Sequence, residues 1–185
     1  MSRSSRFRPL RGGFKRLVAE WFAHVALALW TGAALGQEFT DIAPADRAAI
    51  IVAPGNPLDI TSVDDLAAPD LVVVVCSPDV PCGGYAAAIF DNAGADVTPD
   101  SYEENVKAVA TKVTFGEADA GIVYTTDVLA AGDAATGVEI PDNVNVIAEY
   151  PIVAVSDSTV ARAFIEFVGG PAGQRVLASY GFGVP

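Results

Sequence analysis

The run Leu71–Val–Val–Val–Val–Cys–Ser–Pro–Asp–Val–Pro–Cys–Gly–Gly84 decides the fold. Leu71–Val75 is almost entirely β-branched, the composition of a strand buried on both faces of a parallel sheet. Pro78 and Pro81 interrupt it with a loop, and Gly83 to Ala93 then reads as a helix. A strand feeding a helix is the repeating unit of an α/β fold, where ligands bind just beyond the carboxyl ends of the strands. The amides of Cys82, Gly83 and Gly84 would stand at a helix N-terminus, a favourable place for an anion. An ordinary strand–helix loop explains the same residues from spacing alone.

Working outward, the pattern repeats. Ala49–Ile–Ile–Val–Ala53 is a short buried strand stopped by Pro54–Gly–Asn–Pro57. Thr61 or Ser62 can cap a short helix with Asp64 and Asp65 in its first turn. Glu103 to Phe115 reads as a helix with Val106, Val109, Ala110 and Val113 on one face. Ala120–Gly–Ile–Val–Tyr124 is a second buried strand, followed by a short helix, Thr125 to Ala131. Val138–Ile140 and Tyr150–Val155 read as further strands. Two helices, Thr159–Gly169 and Pro171–Tyr180, close the chain, with Pro171 at a helix start. The expected fold is α/β, a mostly parallel sheet flanked by helices.

Charge is divided along the 185 residues, whose net charge is −12. Residues 1–36 carry six bases and one acid, and the remainder five bases and 22 acids. Such an acidic body repels nucleic acid and anionic membrane, so neither is expected as a partner. The basic start, the apolar Val25–Trp30 and the small residues after it have the layout of a secretory signal. A mis-assigned start explains them as well. Export places the protein outside the cytoplasm, and without a working signal it is a cytoplasmic remnant.

Chemistry narrows quickly. The single histidine, His24, lies in the signal-like segment, so a Ser–His or Cys–His pair has no base in the body. No phosphate-loop or dinucleotide pattern is present, and no carboxylates cluster better than Glu103–Glu104 as metal ligands. No catalytic residue, metal or cofactor is therefore expected. Cys76 and Cys82 are a disulfide candidate if the protein is exported, and two buried thiols otherwise. Three places offer neutral donors at strand ends: the Cys82 loop, the helix start at Tyr102–Val106, and the Tyr124 hydroxyl. Oriented amides and hydroxyls can hold an oxyanion without a counter-charge.

Several stretches occur together in the order of one family: Ile51–Pro57, Asp79–Gly83, Glu104–Lys107, Gly116–Asp127, Tyr150–Ile152, and Gly170–Gln174 through Tyr180–Phe182. From Ile50 to Pro185 the chain resembles the molybdate-binding proteins of bacterial ABC transporters, the ModA-like family with a type 2 periplasmic-binding fold. The resemblance implies a molybdate or tungstate oxyanion held by two backbone amides and one tyrosine hydroxyl, at positions matching Cys82, Val106 and Tyr124. Cys82 stands where alanine is frequent, which a backbone contact tolerates. It also implies a monomer that delivers its ligand to an ABC permease.

Residues 1–49 are too few for the family's first lobe. The expected division is a signal-like or mis-assigned segment at 1–36, a connector at 37–49, a ligand-binding lobe at 50–155, and C-terminal helices at 156–185 that pack on the other lobe. Those helices should expose Phe164, Phe167 and Leu177, and the chain alone should bind oxyanion weakly. Three other readings remain: a binder of sulfate, phosphate or an organic anion; the ligand-sensing module of a transcription regulator; and a thiol redox enzyme using Cys76 and Cys82.

Overall fold

A computed structural model describes residues 45–183. The signal-like segment and most of the connector lie outside the described residues. The strands are β1 (Ala45–Val52), β2 (Val73–Cys76), β3 (Ser101–Glu103), β4 (Ala120–Tyr124), β5 (Thr136–Glu139) and β6 (Ile147–Glu149). The helices are α1 (Pro81–Ala93), α2 (Val106–Thr114), α3 (Thr125–Ala131), α4 (Thr159–Gly169) and α5 (Pro171–Ser179).

The strands form one sheet in the order β3-β2-β4-β1-β5, with β6 paired to the start of β1. Strand β2 runs parallel to β3 and β4, as its composition predicts. The sheet is nevertheless mixed, because β1 is antiparallel to β4, β5 and β6. A buried apolar run fixes burial but not direction, so the sequence could not show this.

Alternation along the strands sends side chains to two cores. Val73, Val75, Ile50, Val52 and Ile122 pack with Ile89 and Phe90 of α1 on one face. Val74, Cys76, Ile51 and Val123 pack with Val109 and Val113 of α2 on the other. Gly121 permits the close approach of α2: a Cβ there would lie 2.5 Å from Val109 Cγ1 and 2.8 Å from Val74 O.

Several boundaries differ from expectation. Strand β1 begins at Ala45, so the last residues of the expected connector are sheet. Its polar Asp46 disguises it, yet Asp46 is buried and bonded. The helix expected from Glu103 begins at Val106, because residues 101–103 pair with β2 instead. The strand expected at Tyr150–Val155 is replaced by Ile147–Glu149, and the one at Val138–Ile140 runs from Thr136 to Glu139. Neither Thr61 nor Ser62 caps a helix. Asp65 of the short 3-10 turn Asp64–Ala67 instead accepts from the amides of both and from the Thr61 hydroxyl, which holds its carboxyl below the ordinary value.

Helices α4 and α5 pack on one another. Phe164 and Phe167 are 57% and 56% exposed, as expected. Leu177 is half-buried, and its neighbour Val176 is exposed in its place.

Candidate functional site

Parallel pairing brings the carboxyl ends of β2, β3 and β4 to one edge of the sheet, where Cys76 lies beside Glu103. Helices α1, α2 and α3 all start from this edge. The antiparallel β1 delivers its beginning to the same edge, with Ala48 opposite Tyr124. Cys82, Val106 and Tyr124 therefore stand on neighbouring loops and helix starts.

At the start of α1, Pro81 has no N–H, and the amides of Gly83 and Gly84 both donate to Val80 O. That leaves the Cys82 amide, which donates to no acceptor among the described residues. The start of α2 is similar. The Asn105 side chain caps the Ala108 amide, while the amides of Val106 and Lys107 donate to nothing described. Unpaired first-turn amides at two helix starts give directed partial positive charge. The side chains of Cys82 and Val106 pack against one core cluster, which also contains Cys76 and Val123.

Tyr124 ends β4 and precedes α3. Its amide donates to Asp127 Oδ2 at 3.1 Å. Its ring meets that of Tyr85 edge-on, 6.4 Å between centroids, which ties the end of β4 to α1. Partial burial, then the nearby Tyr150, Tyr85, Asp46 and Asp127, push its phenol above the ordinary tyrosine value. The hydroxyl thus keeps its proton and remains a donor.

Ionisable groups lie near Tyr124 and the start of α3, and the sequence did not single them out. Asp46 accepts from the hydroxyls of Thr125 at 2.8 Å and Thr126 at 2.6 Å. Burial raises the carboxyl of Asp127, the Tyr124 amide and Lys107 oppose the rise, and Asp46 adds to it. Tyr150 is raised by burial and by Asp46, Tyr85 and Asp127. Lys107 is a cation whose field reaches Asp127. A polar residue in a polar segment, such as Asp46, gives no signal of burial.

Glu103 is neither in a helix nor explained by a helix dipole. It accepts from Lys112 Nζ at 2.6 Å and from the Ser101 hydroxyl at 2.7 Å, which hold its carboxyl below the ordinary value. Cys76 and Cys82 form a disulfide. Among the described residues no group of His, Cys, Asp and Glu is arranged to hold a metal ion.

Residues 25–183 match the family model for bacterial extracellular solute-binding protein. Molybdate-binding protein ModA of Mycobacterium bovis is 41% identical over 139 residues, covering 74% of this chain and 53% of that protein. The chain thus spans about half the length of the curated relative it matches. The crystal structure of L-phospholactate-bound PEB3 aligns with a TM-score of 0.69 at 18% identity, covering 80% of this chain and 68% of that one. The Azotobacter vinelandii periplasmic molybdate-binding protein aligns at 0.60 and 17% identity, covering 77% and 67%. These two likenesses concern the fold, a partial type 2 periplasmic-binding architecture.

Proposed function

Because the chain belongs to the bacterial extracellular solute-binding protein family, we propose that it is the substrate-binding component of an ABC transporter and captures molybdate or tungstate. The oxyanion accepts hydrogen bonds from the amides of Cys82 and Val106 and from the Tyr124 hydroxyl. The carrying observation is that both amides start helices from one sheet edge without acceptors among the described residues, and that Tyr124, whose phenol stays protonated, ends a strand at the same edge. The 41% identity to a protein named as molybdate-binding favours this ligand among oxyanions.

Binding by such a set is positional. Each donor is fixed by the fold before the ligand arrives, so little ordering is required on capture. Lys107 offsets part of the field of Asp127. The family binds solutes, and the donor set holds an anion without bond-making. Delivery to an ABC permease, action as a monomer outside the cytoplasm, and the division into a lobe at 50–155 and C-terminal helices at 156–185 complete the proposal.

Amide NMR tests it, because shifts report binding even at weak affinity. Molybdate and tungstate should move and saturate the Cys82 and Val106 amide signals, with sulfate and phosphate as competitors. Tyr124→Phe should weaken binding about tenfold or more, the worth of one hydrogen bond to a charged group. Equal response to sulfate would reassign the ligand. No shift at either amide would sink the site.

A further inference from the structure

The first turn of α1 has a favourable Pro81 at its first position but little else to hold it. Val80 precedes it and offers no side-chain cap, and Gly83 and Gly84 follow Cys82 directly. By propensity alone a glycine costs about 1 kcal/mol of helix stability relative to alanine, and Gly83 must bear that cost because a Cβ there would meet Ser77 O. By contrast α2 starts from a capping Asn105. Something other than local propensity holds the Cys82 amide in place.

The surrounding contacts identify it. Cys76, at the end of β2, is 1% exposed and locked in the core between the sheet and α2. Its sulfur is bonded to Cys82, the second residue of α1. Between them the Ser77 amide donates to Glu103 O at 2.7 Å and the Val80 amide to Ser77 O at 3.1 Å. The disulfide is therefore the covalent tie from the rigid sheet to the one residue in this turn whose amide is free.

We propose that Cys76 is a positioning residue for the oxyanion site: through its sulfur it fixes the Cys82 amide, so anion affinity depends on the oxidation state of the pair. The inference rests on Cys82 being a ligand donor. Chemically, the thiolate of an external dithiol attacks one sulfur, and a mixed disulfide forms. The dithiol's second sulfur then closes its own disulfide. Two electrons and two protons pass to Cys76 and Cys82, which become thiols. With the tie cut, the uncapped glycine-rich turn frays, and the Cys82 donor loses its fixed direction.

The test compares the chain oxidised and after treatment with dithiothreitol, by amide NMR titration with molybdate and by amide hydrogen exchange. Reduction should weaken binding about tenfold or more, the worth of one bond to a charged group. It should speed exchange at Gly83 and Gly84, whose amides are bonded to Val80 O, while α2 and β4 stay protected, and reoxidation should restore both. The double variant Cys76→Val with Cys82→Ala keeps a β-branched residue in the core and removes the tie without a reductant. It should match the reduced protein. Equal binding and equal protection in both redox states, or a double variant that binds like the oxidised protein, overturns the role of Cys76 and leaves the oxyanion proposal standing. No response to molybdate in the oxidised protein overturns both.

Discussion

Thr126 Oγ1 donates to Asp46 Oδ2 at 2.6 Å, although eighty residues separate them in the chain. Thr125 Oγ1 reaches the other oxygen at 2.8 Å. One buried carboxylate on β1 thus pins the first two residues of α3, immediately after Tyr124. Asp46 is the fully buried charged side chain among the described residues, and its burial is tolerated because both oxygens are bonded.

Removing that carboxylate should therefore be severe. Asp46→Ala leaves two hydroxyls facing a cavity and should cost about 3 kcal/mol, since bonds to charged groups contribute most. Asp46→Asn, which can still accept one hydroxyl, should lose less. Urea denaturation of the two variants checks this; a loss below about 1 kcal/mol for Asp46→Ala would contradict it.

The adjacent glycines of α1 should behave oppositely. A Cβ on Gly83 would lie 2.0 Å from Ser77 O, which is backbone and cannot yield cheaply. Gly84 has nothing within 4 Å of that position. Gly83→Ala should destabilise by about 2 kcal/mol or more through forced backbone shifts. Gly84→Ala should stabilise by roughly 0.5–1 kcal/mol through helix propensity. Melting curves showing the two variants alike would refute the packing account.

Asp127 gives a pH dependence of defined sign. Its native carboxyl is raised above the ordinary value of 3.8, chiefly by burial. The native state therefore holds this proton more tightly than the unfolded state. The stability it contributes is complete below the ordinary value and is lost as pH rises through the raised native one. Asp127→Asn should flatten that fall and melt higher than the parent at neutral pH. A parent and variant with parallel stability–pH curves would show that Asp127 is not strained by burial.

Glu103 should act the other way. Lys112, then Ser101, hold its carboxyl below the ordinary value of 4.5. Its contribution is present above that value and drains as pH falls through the lowered native one. Glu103→Gln should remove this acid sensitivity and cost about 1 kcal/mol at neutral pH, the scale of a partly exposed ion pair. Acid titration of stability, with high salt as a second arm, distinguishes the pair from a merely solvated carboxylate.

Much of the fold was legible because burial leaves a compositional mark. The β-branched run at 71–75 and the strand at 120–124 are apolar enough to need two covered faces. The helices Thr125–Ala131 and Thr159–Gly169 coincide with expectation because caps and turn residues bracket them. The helix expected at Glu103 failed because polar residues at 101–104 suit an edge strand as well as a helix start. Pairing with β2 decided between them.

By itself the sequence determined which segments must be buried, where helices can start, and that the candidate donors at Cys82, Val106 and Tyr124 carry no charge. These are local properties, set by side-chain shape, apolarity and the missing N–H of proline. Tertiary structure alone decided that β1 runs antiparallel and carries Asp46 to the threonines of α3. It also decided that Lys112 reaches Glu103, and that the disulfide the sequence offered at Cys76 and Cys82 is formed. Strand direction and pairing are settled by contacts between residues far apart in the chain, where the energy of a buried carboxylate depends on partners that its own neighbourhood does not contain.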